Sequence, residues 1–207
     1  MRAQDLLDRN PAAWQEATRP PFLEGVREGS LPAGAFESWL EQDYLFATDL
    51  LVFQARLLAR SPRRDQVVLA GGLTAVEAEL GWFEEKAGER DLKLGAARHP
   101  TTTTYQDFMN GLEAAPYPVG ITALWALERA YLGAWRGAAP GGADYREFVE
   151  HWTTQEFADY VAGLEKAAGS SLEAADEKER ERAEATFLEV CRLEHDFWEM
   201  ASLGGNG

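Results

Sequence analysis

Three carboxylates stand at helical spacing among apolar and aromatic residues. Asp43 has Trp39, Leu40, Phe46 and Ala47 three and four positions away; Glu128 has Leu124, Trp125, Tyr131 and Leu132; Glu194 has Val190, Cys191, Phe197 and Trp198. Residues three and four apart share one face of a helix, so each acid lies on a stripe that a core would cover. A carboxylate taken out of water must be paired, hydrogen-bonded or protonated. Three of them, on three separate helices, predict one shared polar pocket inside a bundle, where such sites are commonly built. Two neighbouring carboxylates also push their pKa values apart, which supplies one general acid and one general base near neutrality. Spacing alone does not single out these three. Asp49 and Glu79 have similar neighbours, and an arginine such as Arg56 or Arg129, or a backbone amide, could satisfy any one acid.

Aromatic residues are plentiful along the chain, among them Trp39, Tyr44, Phe46, Trp82, Phe83, Tyr105, Trp125, Tyr131, Trp152, Phe157, Phe197 and Trp198. Such residues are more often core than ligand wall, yet their flat faces suit a flat heterocycle. Acids with aromatic walls fit a neutral or cationic aromatic amine better than a phosphate, and no glycine-rich phosphate loop is present. Metal chemistry has little support. The histidines are His99, His151 and His195, and neither Glu77 nor Glu79 is followed by a histidine at helical spacing, so the Glu-x-x-His signature of di-iron bundles is missing. No serine nucleophile elbow occurs. The expectation is no metal and no cofactor. Cys191 is the sole cysteine; it permits no intrachain disulfide or thiolate cluster and reads as a core residue.

The elements that must position these residues are helices. Ala, Leu, Glu and Arg dominate, strand-like alternation is absent, and Gly and Pro cluster at a few joints. The pattern predicts helices over about 11–27 (disturbed at Pro20-Pro21), 33–59, 65–87, 105–113, 120–136, 144–168 and 172–203. Gly29 to Pro32 reads as a turn, Gly88 as a stop, and Thr101 to Thr104 as capping residues. The charged and alanine-rich run 174–184 reads as a solvated helix face. No internal repeat and no linker long enough for a boundary is found, so one all-α domain over 1–207 is expected, with a frayed tail at 203–207.

The 207 residues carry 35 Asp and Glu against 20 Lys and Arg, a formal charge of −15, with 45% hydrophobic residues. That acid excess argues against nucleic acid, whose binders gain most affinity by neutralising phosphates, and against an anionic membrane surface. No apolar run approaches the length of a membrane span, and the segment MRAQDLLDRNPAAW lacks a signal-peptide core. With the lone cysteine, this predicts a cytoplasmic protein.

Five segments in this order add a resemblance: Gln42-Asp43-Tyr44-Leu45-Phe46, Glu79-Leu80-Gly81-Trp82-Phe83, Tyr105-Gln106-Asp107-Phe108, Trp125-Ala126-Leu127-Glu128 and Phe197-Trp198-Glu199-Met200-Ala201. Each is weak alone. Together, with Pro21-Phe22-Leu23 and Gly29-Ser30-Leu31-Pro32, they resemble the TenA family of thiamin-salvage proteins, also called thiaminase II, over about 21–201. The resemblance implies a haem-oxygenase-like all-α fold that needs no haem, and a homo-oligomer, dimer or tetramer. It implies hydrolysis of 4-amino-5-aminomethyl-2-methylpyrimidine, or its formyl derivative, to hydroxymethylpyrimidine. Leu127 stands where one branch carries a cysteine nucleophile, so the chain looks like the branch without it, which has a Trp-Ala-x-Glu segment. By the same resemblance Asp43 holds the aminopyrimidine, Phe46 stacks on it, and Tyr105, Tyr131 and Trp152 line the pocket. Glu194 is the acid of the last helix and Glu128 the branch-specific carboxylate. A non-catalytic pyrimidine binder, or another cofactor-free enzyme on the same fold, would use the same pocket.

Overall fold

Proline stands at the start of four helices. Pro11, Pro21 and Pro100 open α2 (Pro11–Thr18), α3 (Pro21–Glu28) and α6 (Pro100–Gly111), and Pro118 is second in α7 (Tyr117–Gly137). At these positions the missing N–H has no helical partner to lose. The computed structural model describes residues 1–32, 34–95 and 97–204. Its other helices are α1 (Ala3–Arg9), α4 (Ala35–Ala59), α5 (Gln66–Glu89), α8 (Arg146–His151), α9 (Gln155–Ala174) and α10 (Glu177–Leu203). Among the described residues there is no strand, and no helix is long and apolar enough to cross a membrane.

Several boundaries differ from the expected ones. The threonine run does not cap α6 but lies inside it; the cap is His99, whose Nδ1 accepts from the Thr101 amide at 3.2 Å. Gly88 does not end α5, which closes one residue later, and Asp91 takes the left-handed φ of 54°. The expected helix over 144–168 is two. Thr154 Oγ1 accepts from the Phe157 amide at 3.2 Å and begins α9 afresh after Trp152. The run 174–184 is not one helix face. Asp176 Oδ1 accepts from the Glu179 amide at 2.8 Å, while Glu179 Oε2 accepts from the Asp176 amide at 3.1 Å. This reciprocal box starts α10 anew, and Ala183 within the run is fully buried. The Ala33 start expected for α4 and the last three tail residues lie outside the described residues.

The chain forms two compact units. The first takes Met1–Leu31 and Pro116–Glu199. Its centre is α7, against which α2, α3 and α9 pack, with α1 on α9. Every residue from Val119 to Glu128 is buried, as expected of a helix enclosed on all sides. The second unit takes Pro32–Ala115 and the chain from Met200 onward; α4 packs there on α5 and α6.

One joint of the first unit depends on two glycines. Gly29 closes α3 with φ 71°, and the Gly142 amide donates to Val26 O at 2.8 Å. A Cβ at Gly142 would fall 2.6 Å from Gly29 Cα and 2.8 Å from Gly29 N. Backbone cannot turn aside as a flexible side chain can. Gly142→Ala is therefore expected to destabilise by about 1–3 kcal/mol, read as a lower midpoint in urea unfolding with an unchanged slope.

Candidate active site

The second unit positions Asp43, Phe46 and Tyr105. Asp43 and Phe46 are one helical turn apart on α4, 4% and 7% exposed, and Tyr105 on α6 is 1% exposed. The Phe46 and Tyr105 rings meet at 4.8 Å, inclined by 58°. The register of α4 against α6 is held beside them by Gln42. Its Nε2 donates to Ala97 O at 3.1 Å, and its Oε1 accepts from the His99 amide at 2.9 Å and from Thr102 Oγ1 at 2.7 Å. Two turns further along, Asp49 accepts two hydrogen bonds from Arg98, at 2.5 and 3.1 Å, and one from Gln106 Nε2 at 2.8 Å. Asp49 is thus committed to tying α4 to the segment entering α6, which separates it from Asp43 in a way that spacing could not.

The first unit positions Glu128, Tyr131, Trp152 and Glu194. Glu128 on α7 and Glu194 on α10 are 5% and 4% exposed. Neither these two acids nor Asp43 is without partners. Tyr131, one turn after Glu128, meets Trp152 edge-on at 5.6 Å and stacks on Trp198 at 6.2 Å. Trp135 joins them, 4.5 Å from Trp152 and 6.2 Å from Trp198. Reading the acids' own stripes passes over Trp135, although it stands four residues after Tyr131 on the same face. Trp125 turns to a different partner: Phe187 lies between its ring at 6.1 Å and that of Trp14 at 5.8 Å. In the Trp-Ala-x-Glu segment the tryptophan therefore packs the core, and the glutamate is the polar member.

Cys191 is buried one turn before Glu194. Burial pushes its thiol up to about 12, and the Glu194 charge adds to the shift. The thiolate is the nucleophilic form, so at neutral pH this cysteine is inert. It should resist iodoacetamide in the native protein and react once the protein is denatured, as mass spectrometry of the intact chain would show. His195 and Asp196 follow Glu194 in sequence, yet His195 is exposed and Asp196 accepts from Arg192.

The family model described as TENA/THI-4/PQQC matches residues 8–203. The chain belongs to this family. The TENA/THI-4/PQQC match runs through both units. The chain is 28% identical over 207 residues to a protein of Glycine max named "Probable bifunctional TENA-E protein", covering 94% of this chain and 90% of that one. It is 26% identical over 215 residues to the "Aminopyrimidine aminohydrolase" of Halalkalibacterium halodurans, covering 96% and 94%. The X-ray structure of a TenA homologue from Pyrococcus furiosus superposes with a TM-score of 0.93 at 32% identity, over 97% of this chain and 100% of that one. The architecture is the haem-oxygenase-like all-α fold.

Proposed function

We propose that this chain is an aminopyrimidine hydrolase of thiamin salvage. It would convert 4-amino-5-aminomethyl-2-methylpyrimidine, or its formyl derivative, to the hydroxymethylpyrimidine. The observation that carries the reading is the burial of Asp43, Glu128 and Glu194, each set among aromatic residues, in a chain of the TENA/THI-4/PQQC family that is 26% identical to a protein named aminopyrimidine aminohydrolase.

From the aminomethyl compound, the bond from the 5-methylene carbon to its amino nitrogen breaks, a bond from that carbon to a water oxygen forms, and ammonia leaves; the formyl derivative first requires hydrolysis of its amide bond by a second water, with release of formate. Asp43 accepts from the 4-amino group and pairs with a ring nitrogen, which feeds electrons toward the methylene. Phe46, Tyr105, Tyr131 and Trp152 wall the ring. Glu128 and Glu194 divide the proton transfers: one protonates the leaving nitrogen and the other takes a proton from water. Water serves as the nucleophile in this reading: by the family resemblance Leu127 falls where the other branch carries its cysteine, and burial keeps the Cys191 thiol protonated. No metal or cofactor takes part. The protein is read as a cytoplasmic homo-oligomer, and its −15 charge opposes nucleic acid and anionic membranes as partners. The test is ammonia release from the aminopyrimidine by purified protein. Tight binding without product would instead leave a pyrimidine binder.

A further inference from the structure

The corner between α2 and α3 borders a cleft of about 380 Å³ whose lining includes Thr18, Arg19, Leu23, Arg27, Ala134 and Gly137. That volume suits a small ligand. The α7 side supplies only small groups, Ala134 and Gly137, so the cations set the chemistry. The Arg19 guanidinium has no hydrogen bond or ion pair among the described residues, and the same holds for Arg129, two turns before Gly137 on α7. A Cβ at Gly133 would lie 3.6 Å from Arg129 Nη1 and 3.8 Å from Thr18 Cγ2. The absent side chain of Gly133 thus leaves the Arg129 guanidinium beside the Thr18 edge of the cleft. Arg27 is held by Glu24 at 3.1 Å and Glu28 at 3.4 Å, carboxylates 64% and 55% exposed; such pairs are weak and screened.

This grouping runs against the composition. With 35 acids to 20 bases, a surface arginine is surrounded by candidate partners, yet two of these three have none among the described residues. The guanidinium fork matches carboxylate and phosphate oxygens. Arg19 and Arg27 line the cleft and Arg129 stands by its Thr18 edge, a grouping that favours a ligand with more than one negative charge. The geometry points to a binding site for a phosphorylated small molecule in this cleft, its phosphoryl group held by Arg19, Arg27 and Arg129. Glu24 lines the same cleft and opposes the anion by holding Arg27.

Calorimetric titration of the intact protein with inorganic pyrophosphate, at constant ionic strength and with acetate as the comparison, tests the site. Saturable pyrophosphate binding is expected. It should weaken about tenfold in Arg19→Gln and again in Arg129→Gln, as for hydrogen bonds to a charged group, and tighten in Glu24→Gln. Arg19 is exposed and Arg129 partly so, so both variants should fold; Arg27→Gln carries the same test if one does not. Absence of saturable binding, undiminished affinity in the Arg19→Gln/Arg129→Gln double variant, or equal affinity for acetate would each overturn the assignment.

Discussion

Replacing Glu128 by glutamine is expected to lower kcat for ammonia release by about 10²–10⁴-fold, with KM changed little. Glutamine keeps the shape of the side chain and its capacity to hydrogen-bond but cannot carry a proton between the leaving nitrogen and water. The loss should therefore fall on the transition state and leave substrate binding largely intact. Glu194→Gln should behave alike. The two together should cost less than the product of the single losses, because residues acting as a unit are not additive. Asp43→Asn separates the roles. The amide side chain would retain one acceptor but lose the charge proposed to pair with the ring nitrogen, so KM should rise along with the fall in kcat. Urea unfolding guards against a trivial loss, since each variant must fold for its rate to be read. Full activity in both Glu128→Gln and Asp43→Asn would sink the assignment.

What can be read from the sequence about this site follows from range. The apolar neighbours of Asp43, Glu128 and Glu194 lie three and four residues away, and the helices α4, α7 and α10 that bury them are regular over that distance. Local periodicity is sufficient there. Asp49 has the same periodicity but a different fate, because its partner Arg98 lies 49 residues away and no spacing rule reaches that far. Gln42 belongs to one of the segments that carry the resemblance, yet its role depends on Ala97, His99 and Thr102, which only the folded chain brings to it. The misplaced boundaries have another cause. Thr154 and the Asp176–Glu179 box are capping signals inside runs whose composition reads as continuous helix, and composition masks them. The consequence reaches the site. Trp152 does not continue a helix but follows α8, and from there its ring meets both Tyr131 and Trp135.

That aromatic group makes Trp198→Ala the most destabilising substitution we expect. Trp198 is 1% exposed, and its ring meets Phe22 at 5.6 Å, Tyr131 at 6.2 Å and Trp135 at 6.2 Å. Truncation removes the transfer free energy of the indole and leaves a cavity among rings that are themselves held by other partners: Trp135 by Trp152, and Tyr131 by both. A site so fixed relaxes little, which places the loss in the range of about 3–5 kcal/mol for a large aromatic cut to alanine. Against a total of about 5–15 kcal/mol for a domain, the variant should unfold at much lower urea. Trp14→Ala provides the contrast. Trp14 is only half-buried, and of the aromatic rings it stacks on Phe187 alone among the described residues, so its loss should be clearly smaller. If the two variants unfold at the same urea concentration, the ring cluster does not fix the first unit. The geometry around Glu128 and Glu194 would then need another support, because Tyr131 and Trp198 share their helices with those two acids.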